Sequence, residues 1–234
     1  MYYNKIQGVE EPLPEETTGG TPPSARTKVR RRAGRARYDR EAIDAILDEG
    51  LVGHVAFAVD GQPYAIPMLY ARRGDELYLH GSPLSRLVGE VADGIDICLT
   101  VTLIDGLVLA RSAFHHSVNY RSVVALGSGR PIRDRDRKRD ALRALVEAIV
   151  PGRSHDVRGP SEAELDATEV LALELNEASA KVRSGPPLDA GSDYALGTWA
   201  GELPLRLVPG KPVPDPHCAL PVPDYVNHYA RARD

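Results

Sequence analysis

Residues 53–81 read GHVAFAVDGQPYAIPMLYARRGDELYLHG, short apolar runs separated by Asp60-Gly61 and by Gly74-Asp75. An Asp-Gly pair between β-rich runs supplies the two positive φ angles of a two-residue hairpin, so the runs it joins pair antiparallel. A parallel pair needs a crossover of a dozen or more residues, and this stretch has no room for one. The chain is thereby held to an antiparallel meander. The run DICLTVTLIDGLVLARS (96–112) carries a further Asp-Gly at 105–106 and predicts another hairpin turn. YRSVVALGSG (120–129), EVLALEL (169–175) and SAKVRSGPP (179–187) supply the later strands.

Helices interrupt this pattern without alternating with it. In YDREAIDAILDEG (38–50), Asp39 is placed to cap, Ile43, Ile46 and Leu47 make one apolar stripe, and Gly50 stops the helix. PLSRLVGEVADG (83–94) reads as a short helix. RDRKRDALRALVEAIVPG (135–152) is the longest, with Leu142, Leu145, Val146 and Ile149 facing inward. Ser161 and Glu164 form a capping box ahead of a further turn. The fold class expected is mainly β (α+β), a six-stranded antiparallel barrel with peripheral helices.

Around this core the composition shifts. Residues 1–37 are rich in Pro, Gly, Thr and Glu, bury little and read as a disordered arm, whose segment ARTKVRRRAGRAR (25–37) is strongly basic. Without interleaved aromatics this segment is a solvated tail before it is a nucleic-acid arm, and the net charge of −4 gives nucleic acid no general attraction. Residues 38–187 form the barrel domain, and 188–234 a Pro-rich extension packed on it. Cys98 and Cys218 make no disulfide framework, which points to a reducing cytoplasm. No apolar run approaches the ~20 residues of a membrane span, and the first twenty residues lack the pattern of a secretory signal.

Three chemistries compete for the polar residues. His115 and His116 are adjacent, so on a strand they point to opposite faces, and no Cys or carboxylate stands at zinc-like spacing from them; no metal is expected. Haem through a single axial His stays open, without an attachment motif. There is no G-x-S-x-G elbow, which argues against a hydrolase. Phosphate binding is better supported. HGSPLSR (80–86) leaves a strand and enters a helix, offering Gly81 for close approach, Ser82 and Ser85 as hydroxyl donors and Arg86 as a fork donor.

With D-G-x-P-Y-x-x-P at 60–67, L-Y-L-H-G-S at 77–82 and N-Y-R-S-V-V at 119–124 in this order, residues 38–187 resemble the pyridoxamine 5′-phosphate oxidase-like flavoprotein superfamily. Within it they look like the flavin-nucleotide-binding branch that includes nitroimidazole-resistance proteins. The tail WAGELPLRLVPG (199–210) resembles an extension of actinobacterial-type members. The resemblance implies a split β-barrel homodimer with FMN in a groove between subunits. Ile66, Pro67 and Met68 would lie along the isoalloxazine ring. His80, Gly81, Ser82, Ser85 and Arg86 would lie on the phosphate side, flanked by Tyr120, Arg121 and Ser122. His80 is also the candidate proton donor, Lys181 and Arg183 are substrate-side residues, and one of His115 and His116 faces the groove. One departure stands out: many relatives place two adjacent cations after the loop, whereas Leu87 follows Arg86 here. Loss of one charge-assisted bond costs ~1.5–3 kcal/mol unless Arg121 or Arg111 replaces it.

The activity implied is an FMN-dependent oxidoreductase. It would pass electrons from NADH or NADPH through the flavin to a small acceptor such as a nitroaromatic or a quinone. The alternative is a non-catalytic flavin- or haem-binding protein of the same fold, whether carrier, sensor or haem-degrading relative.

Overall fold

The computed structural model describes residues 19–92 and 94–230. Its frame is one antiparallel sheet of ten strands. These are β1 (Ala36–Arg37), β2 (Val52–Val59), β3 (Gln62–Arg73), β4 (Glu76–Gly81), β5 (Asp96–Leu109), β6 (Ser117–Ser128), β7 (Arg130–Pro131), β8 (Glu169–Glu174), β9 (Glu177–Arg183) and β10 (Gly201–Pro204). The spatial order is β1-β9-β6-β5-β2-β3-β4-β8-β7, with β10 paired to β5 off this path. Three of the ten have four residues or fewer, and these account for most of the excess over the six strands expected.

Asp60 and Gly61 have φ of 49° and 79°, the positive pair that the tight β2–β3 hairpin demands. β3 is long enough to serve two neighbours. Gln62–Leu69 pair with β2, and Tyr70–Arg73 turn to pair with β4. That handover splits the sheet and rolls it. Leu77 and Leu79 of β4 and Leu171 and Leu173 of β8 meet Val55, Leu99, Val101, Val123 and Ala125 of the other half in one core. Burying each large aliphatic there contributes about 1.5–3 kcal/mol. The two edges do not join, so the barrel is open.

The helix α1 (Arg40–Glu49) plugs the roll. The Asp39 side chain accepts from Ala42 N at its start, and Ile43, Ile46 and Leu47 enter the same core. At its end Tyr70 Oη donates to Leu47 O at 2.6 Å, satisfying a terminal carbonyl in the buried interior. α2 (Arg86–Ala92) closes the β4–β5 connection. α3 (Arg135–Ile149) packs outside on β3, β4 and β8. α4 (Glu162–Asp166) carries the expected capping box at Ser161 and Glu164, and α5 (Asp224–Asn227) lies near the chain's end.

Three local expectations need correction. Asp105-Gly106 is no hairpin turn: β5 runs straight through it, with a bulge against β6 between Ile104 and Gly106. Here the glycine serves close approach, because a Cβ on Gly106 would stand 3.0 Å from Leu203 O of β10. His115 and His116 precede β6 rather than lie on it, and both rings fold back on Ser112. His115 Nδ1 meets Ser112 Oγ at 2.8 Å, and His116 Nδ1 meets Ser112 O at 2.9 Å. On α3 only part of the apolar stripe is core: Leu145 is buried, while Ile149 stays exposed.

Of the arm, residues 1–18 lie outside the described residues. Residues 19–37 follow the sheet edge: β1 pairs with β9, Val29 N donates to Tyr38 Oη at 2.9 Å, and Arg26 bonds Asp96 and Glu177. In the extension, β10 pairs with Gly106–Leu109 of β5. Further on, Tyr225 of α5 donates to Asp156 and accepts from Arg153.

Candidate functional site

Strand alternation sorts the expected site residues onto different faces. On β3, Ile66 and Met68 pack against the barrel core, while Pro67 between them is exposed and stands opposite His54 of β2. On β6, Tyr120 and Ser122 alternate with Arg121. Ser122 pairs with Thr102 on one side and Lys181 on the other, and its hydroxyl donates to Lys181 O at 3.3 Å. Pro67, His54, Thr100, Thr102, Ser122 and Lys181 thus belong to one half-exposed outer face of the sheet.

The loop from Gly81 to Arg86 holds the second group. Ser82 Oγ accepts from Leu84 N at 3.2 Å, and Ser85 Oγ accepts from Val88 N at 3.4 Å. Each hydroxyl keeps its own proton free to donate. The Arg86 guanidinium lies over the Tyr64 ring at 4.4 Å and has no carboxylate partner among the described residues. Tyr64 in turn stacks on Phe57 at 5.4 Å. This aromatic seat ties the loop to the start of β3. Two hydroxyl donors and a held, uncompensated cation are the donor set a phosphate requires.

Both arginines expected to replace the missing second cation are engaged elsewhere. Arg121 points to the barrel end, where it bonds both oxygens of Asp105, at 2.8 and 3.0 Å, and the carboxylate of Glu49. Its hydrogen bonds to Asp105 first, and then to Glu49, raise its pKa further. Arg111 bonds Asp189. Arg183 is buried and bonds Asn119, Gly185 O at 3.0 Å and Pro186 O at 3.2 Å. Burial, and then nearby Arg35, lower its pKa. It anchors the chain entering the extension.

His80 stands apart from the loop that follows it. Leu77 and Leu79 of β4 enter the core, so Tyr78 and His80 face α3. There the imidazole lines a cavity of about 1080 Å³ between α3 and residues 154–168. That is just above the range of about 300–1,000 Å³ for small-molecule sites. Leu142, Leu145, Val146 and Ile149 of α3, with Val157, make apolar wall. Arg139, Arg143, His155 and Arg158 also line the cavity. Arg158 is held by Glu164, whose pKa falls to about 2 through the hydrogen bonds from Arg158 and then from Ser161. Arg139 is held by Asp136 and Glu162. Arg143 meets only Ser154 Oγ at 3.3 Å and His155 Nδ1 at 3.4 Å, so it has no carboxylate partner among the described residues. His80 Nδ1 is buried with no hydrogen-bond partner. A buried imidazole nitrogen without a partner costs free energy, which a bound ligand can recover.

The α3 side of this cavity escaped sequence reasoning because its apolar stripe reads as core. The available signal was Arg139 and Arg143 at i and i+4 beside that stripe.

The family model described as pyridoxamine 5′-phosphate oxidase matches residues 39–182. None of the curated proteins compared with the chain matches it. Among solved structures, the flavocytochrome Anf3 from Azotobacter vinelandii is 41% identical over 91% of this chain and all of its own, with a TM-score of 0.85. The FAD and haem binding protein from Mycobacterium smegmatis is 38% identical, covers 82% of this chain and 96% of its own, and has a TM-score of 0.79. A Bacteroides thetaiotaomicron structure assigned to 5-nitroimidazole antibiotic resistance shares the fold at 23% identity and a TM-score of 0.54, over 63% of this chain and 86% of its own. With the hairpin meander, the open roll and the Ser82–Arg86 loop in place, the chain belongs to the pyridoxamine 5′-phosphate oxidase-like superfamily of split-barrel flavin-binding proteins.

Proposed function

We propose that this protein is a homodimeric flavin- and haem-holding redox protein, with the flavin phosphate on the Ser82–Arg86 loop and haem in the cavity that His80 lines. The observation that carries it is His80 itself: an imidazole with a partnerless buried nitrogen, on the wall of a roomy cavity with an apolar face and arginines. The residues fit the group. A macrocycle would need apolar walls, its propionates cations and its iron a nitrogen donor. Leu142, Val146 and Ile149 supply the first, Arg143 the second and His80 the third. The names of the A. vinelandii and M. smegmatis proteins, one a flavocytochrome and the other an FAD and haem binding protein, support the pairing of both cofactors.

The flavin proposed is FAD, as in the M. smegmatis protein; FMN was the sequence expectation. When bound, the flavin supplies hydride chemistry with a reduced nicotinamide, and haem supplies one-electron chemistry toward a small acceptor such as a nitroaromatic or quinone. The protein's share is placement. Ser82 and Ser85 donate to the phosphate, and Arg86 neutralises it from its seat on Tyr64. Pro67, Tyr120 and Ser122 mark the sheet face beside which the ring lies, and Lys181 edges the substrate side. That face is half-exposed in one chain and is covered in the dimer. In this reading His80 is an iron ligand and not the proton donor.

The optical spectrum of the purified protein tests this. We expect flavin absorbance together with a Soret band, and anaerobic NADH or NADPH bleaching the flavin before the Soret band shifts. His80→Ala should lose the Soret band and keep the flavin; Arg86→Ala should do the reverse. A colourless protein that also takes up neither added haem nor FAD or FMN would overturn the reading. Mass analysis of the released flavin separates FAD from FMN.

A further inference from the structure

One ring nitrogen of His115, one carboxylate oxygen of Asp189 and one of Asp193 lie within 4.8 Å of one another. His115 ends the 3-10 turn Ala113–His115 that leads into β6, and Asp193 belongs to the 3-10 turn Gly191–Ala195 in the extension. We propose that these three side chains bind a divalent transition-metal ion, which fastens the start of the C-terminal extension to the loop entering β6. This site is independent of the flavin and haem reading.

The spacing supports it first. His115 makes no ion pair with either aspartate, because neither approach closes to salt-bridge distance, yet all three donor atoms stay within 4.8 Å. Donors at ~2.0–2.2 Å from a tetrahedral zinc ion stand roughly 3.3–3.6 Å apart. The three donors stand somewhat wider than that without pairing directly, so small side-chain rotations close them on one ion.

The surroundings hold the donors in place. Ser112 Oγ meets His115 Nδ1 at 2.8 Å, and the ring packs edge-on to Phe114 with centroids 5.1 Å apart. Outer partners of this kind orient metal-binding imidazoles. The Asp189 side chain is fully buried. The Arg111 guanidinium and the backbone N–H groups of Arg111 and Ser112 donate to it. A carboxylate has about four acceptor positions, so these three donors leave one for a cation. Asp193 accepts only from Ser192 Oγ, at 3.3 Å.

Charge and donor type narrow the ligand. Two carboxylates against the single Arg111 leave the group with net charge −1, which attracts a dication. Arg111 is also drawn to the Tyr194 ring, at 5.0 Å. One imidazole with two carboxylates suits Zn²⁺, Mn²⁺ or Co²⁺ better than Ca²⁺ or Mg²⁺, which prefer all-oxygen shells.

The test uses the full chain, with its native cofactors, after dialysis against a chelator. Zn²⁺ is titrated by calorimetry and Co²⁺ by its visible d–d absorption. We expect one equivalent of either ion, a raised Tm, and slower proteolysis between 184 and 200 when Zn²⁺ is present. His115→Ala and the isosteric Asp193→Asn should each weaken Zn²⁺ binding by more than about tenfold. His80→Ala should leave it unchanged, which separates this site from a vacated haem site. No uptake by the wild type, or equal uptake by wild type and His115→Ala, would overturn the proposal.

Discussion

Arg86 and Arg121 come from neighbouring motifs and read alike in sequence, yet their surroundings give them opposite uses. Arg86 lies on an aromatic ring with no carboxylate partner. Its removal forfeits a cation–π contact of about 0.5–1 kcal/mol. Arg86→Ala should therefore lower flavin affinity by about one to two decades while moving Tm little, as flavin fluorescence titration and calorimetry will read. Arg121 is spent on Glu49 and Asp105, and the Glu49 side chain is only 9% exposed. Arg121→Leu should cost about 2–3 kcal/mol in urea unfolding and leave flavin content unchanged. That is less than the ~3–5 kcal/mol of a fully buried pair, because Arg121 keeps some contact with water. Both residues were legible as candidates, because arginine beside serine at a strand end is a local pattern. Which one is free was not, because Glu49 is 72 residues from Arg121.

At the scale of elements, the strands, caps and tight turns were read correctly where the signal lies within a few residues. Asp39, Asp60-Gly61, and Ser161 with Glu164 all behave as their local chemistry requires. Asp105-Gly106 misled because the same dipeptide serves a second need, the approach of β10. Gly106→Val should strip β10 from β5, seen as faster proteolysis around 196–205 with the core transition retained. The end of α3 carries a pH-dependent tie. Glu147 accepts from Gly152 N and, at 3.2 Å, from Ser154 N, and these bonds hold its pKa below the usual carboxylate range, Gly152 contributing most. Because the folded value lies below the unfolded one of about 4.3, this stabilisation is full above that pH. It is lost as pH falls through the lower folded value. The protection of residues 150–156 from hydrogen exchange, taken relative to the unfolded chain at the same pH, should fall on acidification in the wild type, and Glu147→Gln should remove that dependence.

For the whole molecule, the outer face of β2, β5 and β6 is a half-exposed surface. Thr100 stands opposite His54 and Val124 there, in a row of small and hydroxyl side chains. A face of this kind, repeated by a two-fold axis, suits an isologous dimer. Light scattering should give a dimer for the wild type, and Thr102→Arg should give a folded monomer with weakened flavin binding. A wild-type monomer that holds flavin at full strength would sink the dimer. The His80 cavity is likewise a property of the whole, since β4, α3 and residues 154–168 each supply only part of its wall.

The amino-acid sequence by itself determined the antiparallel meander, the helix starts and the Ser82–Arg86 donor loop, because dihedral preference, capping and alternation act between near neighbours. Tertiary structure alone decided that His80 opens on an arginine-lined cavity, that Arg121 is neutralised, and that Asp189, 78 residues along the chain, meets Arg111. The reason is that a side chain's charge environment comes from whatever packing brings beside it. Chain distance carries no record of that.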